Sequence, residues 1–362
     1  MSRLLVNSLI TADDAVVMAD LLVLRAIRGR ARTLNLNGKK LQRVPGAVGN
    51  ITRLTALHLK NNSLCQLPEE VTALSNLTIL NLGNNQFTRV PEELKYLHSL
   101  QILHLFGNRI TEIPACVFDG LQNLISLNLN NNFIENIPAD IQKLQCLEKL
   151  SINHNCLQEI PKELCVLQNL SELHLGNNQL ETLPAQIGYL SNLRELRVYR
   201  NNLIGLPEGI CRLRKLKILD VAGNQIPAFP SRMHEISLQE LYCEENPLLL
   251  KEPVSAVQDE EILSLKEITA RLILTHLQNG SFLLREQIKY YPDARRLLSG
   301  RNVCALCGKW FLDMWLECVK FVDVKKKMKT SSNVQLLPVK ILLCSYQCFN
   351  QRHSDTFGVA FQ

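Results

Sequence analysis

No early run of apolar residues in this 362-residue chain is long enough to cross a bilayer as a helix. The nearest candidate, Ala15 to Ile27, is interrupted by Asp20 and Arg25, so neither membrane insertion nor a signal peptide is expected. A phosphate-binding G-x-x-x-x-G-K-[ST] loop is missing. No serine, histidine and acid set stands out, and none of the twelve cysteines is marked as a nucleophile, so the expectation is a protein that is not an enzyme. Residues 31–250 lack a charge bias, with 20 basic and 20 acidic side chains, which argues against a broad nucleic-acid surface. The net charge of +6 comes almost wholly from residues 251–362, with 16 basic against 11 acidic.

What is present is periodicity. Asn62, Asn85, Asn108, Asn132, Asn155, Asn178, Asn201, Asn224 and Asn246 recur every 22 to 24 residues. Each lies eight residues after the start of the same apolar phrase, L-x-x-L-x-L-x-x-N-x-L, as in Leu77-Thr-Ile-Leu80-Asn-Leu82-Gly-Asn-Asn85-Gln-Phe87. Such a period means stacked units, none able to bury its apolar side alone. Repeats start at Leu54, Leu77, Leu100, Leu124, Leu147, Leu170, Leu193, Leu216 and Leu238, with a degenerate one at Ala31. Inward leucines alternate with outward variable residues, which predicts one short strand per unit and a parallel sheet in the stack. A second phrase, L/I/V-P-x-x-I/V/L-x-x-L, runs from Val44-Pro45 to Phe229-Pro230 and predicts a short helix, since proline suits a first helical turn. An asparagine amide at each strand exit both donates and accepts, so the ladder is expected to satisfy turn backbone rather than a ligand.

These phrases resemble the leucine-rich-repeat family, in its intracellular subtype with L-P-x-x-I helices. The resemblance implies an α/β solenoid, a curved parallel sheet with convex helices, whose concave face binds proteins. Four segments follow: an N-terminal extension and capping helix over 1–30, ten repeats over 31–250, a helical C-terminal cap over 251–300, and a cysteine-rich, zinc-finger-like module over 301–362. The capping helix is predicted from about Asp20 to Gly29, with Leu21, Leu22, Leu24 and Ile27 covering the first strand. In the C-terminal cap, Ile262, Leu265, Ile268, Leu272 and Leu277 are predicted to face inward. Glu260, Glu261, Lys266, Glu267 and Arg271 take the other side.

Seven cysteines scatter over the repeats, and only Cys165 and Cys211 share a repeat position. Those two are roughly 10 Å apart by strand spacing, beyond disulfide reach. The repeat cysteines are expected to be free, small apolar fillers in a reducing compartment, the cytoplasm or the nucleus. Cys304-Ala-Leu-Cys307-Gly308 and Cys344-Ser-Tyr-Gln-Cys348 differ from these. Two thiolate pairs at short spacing can converge on one tetrahedral ion, so Cys304, Cys307, Cys344 and Cys348 are the expected ligands of a structural zinc. The arrangement resembles a treble-clef-like zinc finger. Cys318 and His353 are weaker candidates for replacement ligands. Trp310 to Asp323 and Val334 to Leu343 read as strands. The tail's excess charge sits in Lys320, Lys325, Lys326, Lys327 and Lys329, assigned to the loop between them, and a solvated hairpin tip is favoured over phosphate binding.

Two rows of outward strand residues, four and six places after each repeat start, define the expected binding face. Most are bland. His104 with Phe106, and Arg197, Tyr199, Arg200 and Tyr242, stand out because aromatics and arginine carry disproportionate interface energy. His58, His104 and His174 are two and three repeats apart, roughly 10 and 15 Å, too far to share a metal. The expected function is an intracellular scaffold that binds protein partners through this face. The alternatives are a substrate-recognition adaptor of a complex such as a ubiquitin ligase, and nucleic-acid binding through the basic finger.

Overall fold

The computed structural model describes residues 12–233, 236–249, 263–312, 316–323, 329–330 and 336–350. The chain divides into two compact units. One comprises residues 1–225, 236–246 and 328–332; the other comprises 226–235, 247–327 and 333–362.

The first unit is the repeat stack. Ten three-residue strands, from β1 (Thr33–Asn35) to β10 (Glu240–Tyr242), pair in parallel and in chain order, with residues one repeat apart in register. The inward leucines are buried throughout, including Leu57, Leu80, Leu103, Leu150 and Leu219. The predicted convex helices are five-residue 3₁₀ turns such as Glu69–Ala73 and Glu92–Tyr96. The reason is length: with proline before the first residue and a strand to reach, the chain closes one i to i+3 turn and stops. Their apolar residue three places after the proline is buried, as Val71 and Leu94 are.

The asparagine ladder forms as expected. Asn85 accepts from the Leu64 N–H at 3.0 Å and donates to the carbonyl oxygens of Leu59 and Leu82, each at 3.0 Å. Each such amide stitches its own turn to the preceding repeat. The residue just before it takes a left-handed conformation, at Asn61, Asn84, Gly107, Asn131, His154, Asn177, Arg200, Gly223 and Glu245. Asparagine and glycine tolerate that region and most other residues do not.

The capping helix α1 (Ala12–Arg28) starts earlier than predicted and turns a different face inward. Ala19, Val23 and Ala26 are buried, whereas Leu21 and Leu24 are exposed. Small residues let the helix approach the first repeat closely, and the leucines fall on the outer side of a 3.6-residue period. Of the repeat cysteines, only Cys165 and Cys243 are buried fillers; Cys65 and Cys146 are exposed.

A two-residue strand, β14 (Lys329–Thr330), pairs in parallel with β10 and extends the sheet to eleven strands. This corrects the basic-loop assignment. Lys329 is in a strand, and Lys320 is an exposed residue of another, β13 (Leu316–Asp323). Lys325, Lys326 and Lys327 lie outside the described residues.

The second unit contains α2 (Leu265–Gln278), α3 (Phe282–Ile288), α4 (Pro292–Ser299), the antiparallel pair β11 (Asn302–Val303) and β12 (Trp310–Phe311), then β13, β15 (Leu336–Leu343) and α5 (Tyr346–Asn350). β13 and β15 form a long antiparallel ladder from Leu316↔Leu343 to Asp323↔Leu336. The predicted strand from Trp310 to Asp323 is thus two strands with different partners. The predicted inward face of α2 is largely reversed: Leu265, Ile268 and Leu272 are exposed, while Glu267, Ala270 and Leu274 are buried, and Leu277 packs against that core as expected. Ser264 caps the helix by accepting the Glu267 N–H at 3.1 Å. Ile262 lies outside the described residues.

Candidate interaction face and metal centre

On the sheet face, Phe106 and Tyr199 share one local device. Phe106 lies across Gly83 of the preceding repeat, where an added Cβ would stand 2.5 Å from ring carbon Cζ. Tyr199 lies across Gly176 in the same way, with a would-be Cβ 2.3 Å from Cε1. A missing side chain in one repeat therefore leaves room for a half-buried ring from the next. Beside Phe106, the His104 ring is edge-on with centroids 6.2 Å apart, and Lys60 Nζ stands 5.1 Å from the Phe106 centroid. His104 Nδ1 is buried without a hydrogen-bond partner among the described residues. Burial, reinforced by His58 and Lys60, holds the His104 pKa below the usual imidazole value.

The second group gathers one row. Arg197 pairs in register with Asp220, and Asp220 with Tyr242, on β8 (Glu195–Arg197), β9 (Ile218–Asp220) and β10. Arg197 Nε bonds Glu195, whose Oε1 also lies 3.0 Å from His174 Nε2. Tyr242 donates to Glu240 at 2.9 Å. Burial raises the Asp220 pKa. Arg200 stands apart: it is the left-handed residue of its turn, at φ 49°, and exposed.

Sequence reasoning missed a third outward row, two places after each repeat start. It runs Ile79, Ile102, Ser126, Lys149, Glu172, Glu195, Ile218 and Glu240, in register from strand to strand. The L-x-x-L spacing already implied it, because the second x precedes an inward leucine. This row separates an apolar end, Ile79 and Ile102, from a carboxylate-rich end with Glu172, Glu195 and Glu240.

In the second unit the four tail cysteines converge. Their sulfurs all lie within 4.8 Å of one another, with Cys307 to Cys344 at 3.5 Å and Cys344 to Cys348 at 3.6 Å. A tetrahedral ion with zinc–sulfur bonds of about 2.3 Å requires sulfurs roughly 3.8 Å apart. The spacing fits a metal ion. The first pair sits on a knuckle closed by Cys304 N–H to the Lys309 carbonyl at 2.9 Å and Gly308 N–H to the Cys304 carbonyl at 3.0 Å. Gly308 takes φ 71°, which explains a glycine directly after Cys307. For the second pair, Cys344 directly follows β15 and Cys348 lies in the first turn of α5, whose start is held by Cys348 N–H to Ser345 Oγ at 3.1 Å. Three intervening residues are what a strand-to-helix corner needs, so the spacing that departs from C-x-x-C is accommodated.

Burial pushes the Cys304 thiol up, but backbone N–H groups of Cys307, Cys344 and Leu306 pull it back down to about 7. Burial raises Cys344, helped by the neighbouring Cys307, and burial raises Cys348. One thiolate forms readily and the next resist, as expected of a cluster in which a cation would supply the missing charge. Cys318 is fully buried in the apolar cluster with Phe311 and Leu343 and is not part of the quartet. His353 lies outside the described residues. No helix among the described residues is long and apolar enough to cross a membrane.

A leucine-rich repeat region model matches residues 74–181, and a leucine rich repeat model matches residues 168–226. Over 132 residues, 36% of this chain and 38% of the relative, the chain is 70% identical to leucine-rich repeat-containing protein 69 of Xenopus laevis. Over 123 residues, 34% of this chain and 35% of the relative, it is 46% identical to the Homo sapiens protein of the same name. The aligned stretch spans little more than a third of the length of these curated relatives. A plant peptide hormone receptor solved in complex with RGF2 superposes with a TM-score of 0.53 at 28% identity, over 59% of this chain and 36% of the receptor.

Proposed function

We propose, from the premise that this is a leucine-rich-repeat chain resembling leucine-rich repeat-containing protein 69, that it is a scaffold binding protein partners through its sheet face. The observation that carries this reading is the pair of seated rings. Phe106 and Tyr199 each occupy a place kept open by a glycine of the preceding repeat, so that large apolar surface is held in place and presented outward. His104 stands beside the Phe106 ring, Arg197 and Tyr242 lie in one row of the sheet and supply polar contacts, and Arg200 adds an exposed charge at the strand exit. The plant receptor was solved with a bound partner, which agrees with a protein or peptide as the ligand class. The cysteine quartet holds a structural zinc: four thiolates leave no open position for chemistry, so the ion stabilises its module rather than reacting.

The test is a quantitative capture comparison. Phe106→Ala with Arg197→Ala and Tyr199→Ala should weaken capture of partners from cell extract while leaving thermal stability nearly unchanged. Glu92→Ala with Lys162→Ala, on two of the 3₁₀ turns, should alter neither. Full capture by the triple variant would place the docking surface elsewhere and overturn the reading.

A further inference from the structure

A buried ion pair ties α2 to both arms of the cysteine quartet. Arg271 donates from Nη2 to the carbonyl oxygen of Cys344 at 2.7 Å and from Nε to Glu267 Oε1 at 2.6 Å. The same Glu267 oxygen accepts the Leu312 N–H at 3.2 Å, just beyond β12. The Glu267 side chain is 4% exposed and that of Arg271 20%, and the guanidinium carbon stands 5.9 Å from the centroid of Phe311. One pair therefore spans the arm carrying Cys304 and Cys307 and the arm carrying Cys344 and Cys348.

Burying two charges gains little stability, because the cost of desolvation offsets their attraction, and an apolar pair would fill the space as well. What an apolar pair cannot do is fix two backbone groups from different strands at once. Besides the bond within the pair, one hydrogen bond runs to the main-chain carbonyl of Cys344 itself and another to the main-chain N–H of Leu312, just past the strand that follows the Cys304–Cys307 knuckle. The pair is electrically neutral as a whole, so its effect on a metal site is one of geometry more than of charge.

We propose that Arg271 and Glu267 are positioning residues of the metal centre, an outer clamp that holds the two ligand arms at the separation one ion requires. This rests on the zinc reading above. Arg271 is suited to the task because its planar fork reaches two acceptors in fixed directions, whereas a lysine ammonium reaches them only by turns. Outer partners of this kind are worth about 10- to 100-fold in metal affinity.

The experiment uses the full chain and two readouts: zinc affinity by competition with a chromophoric chelator, and the visible spectrum after cobalt(II) substitution, which reports tetrahedral thiolate geometry. The native chain should bind one zinc and give the cobalt–thiolate bands. Arg271→Met should weaken zinc by about 10-fold or more and distort the bands. Arg271→Lys should recover only part of the loss, and Leu272→Gln, on the exposed side of α2, should match the native chain. Native affinity and native cobalt spectra in both Arg271 variants, with helix content preserved, would overturn the clamp while leaving the zinc reading intact. Absence of metal from the native chain would overturn the zinc reading first and the clamp with it. Should Arg271→Met not fold, Arg271→Lys decides the matter alone, since it keeps the charge and loses the fork.

Discussion

Asn132 offers the sharpest test of how the repeats hold together. Its side chain is 5% exposed. Oδ1 accepts the Ile110 N–H at 3.0 Å, and Nδ2 donates to the carbonyl oxygens of Leu105 and Leu129, each at 3.0 Å. Asn132→Ala strips one buried N–H and two buried carbonyls of these partners. An orphaned N–H costs about 1–3 kcal/mol, the carbonyls add less because each keeps a second lone pair, and the small void adds a little more. The sum is about 2–4 kcal/mol. Asn132→Asp separates the two directions of bonding: it keeps an acceptor for Ile110 but, once ionised, faces two carbonyl oxygens with a negative charge. Its folded-state pKa should therefore rise above the unfolded value of about 3.9. The folded chain would then hold the proton where the unfolded chain releases it, so stability falls as pH rises through that window and is lowest once the folded pKa is passed. Guanidinium unfolding at pH 5.0 and pH 7.5 reads both effects, with exposed Asn202→Ala as a control expected within about 0.5 kcal/mol. If Asn132→Ala costs under about 0.5 kcal/mol, or Asn132→Asp matches the native chain at pH 7.5, the ladder is not what joins the repeats.

Changing Cys304 and Cys307 to serine should remove bound metal and unfold the second unit, read as lost zinc by elemental analysis and new proteolytic sites after residue 263, while the repeats keep their melting transition. Gly83→Ala should displace the Phe106 ring yet leave stability within about 1 kcal/mol, because the backbone there suits an alanine; partner capture should fall as far as in Phe106→Ala, and unchanged capture would show that the ring's seat is immaterial. His104 has a lowered folded pKa, so the unfolded chain binds its proton first as pH falls below the ordinary value of 6.5. Stability from this group is complete above that value and lost below it, and His104→Gln should flatten the slope of melting temperature against pH between 5 and 6.5. Arg200→Gly should stabilise the chain by about 0.5–1 kcal/mol, since glycine enters the left-handed region without strain; a loss of partner capture at the same time would mark Arg200 as kept for binding.

The parts legible in the sequence are those that repeat or that carry special chemistry. Nine copies of one phrase fix the register of Leu57, Leu80 and Leu103, and the ladder amides follow from the same period. The cysteine quartet was legible because four thiols at short spacing have few other uses. Apart from the third outward row, which the L-x-x-L spacing implied, what escaped lies outside the repeats. Leu265, Ile268 and Leu272 on one side of α2 and Ala270 and Leu274 on the other are both apolar stripes at helical spacing. The choice between them was made by Glu267, whose partners Arg271 and Leu312 are one turn and 45 residues away. A rule that sends charges outward turned the helix the wrong way. The two residues of β14 carry no pattern at all and are a strand only because β10 offers an edge.

That edge has a consequence in time. Strand β10 ends at Tyr242 and its outer neighbour begins at Lys329. During synthesis, at about 5–20 residues per second, the roughly 90 residues between them take about 4 to 18 s to appear. For that interval a finished stack of repeats carries an unpaired row of N–H and C=O groups open to any passing strand, including one from a neighbouring chain. The protein therefore completes its sheet with a strand made well after the ten repeats. A chain halted anywhere between 243 and 328 would present the whole repeat stack in a form prone to join its copies.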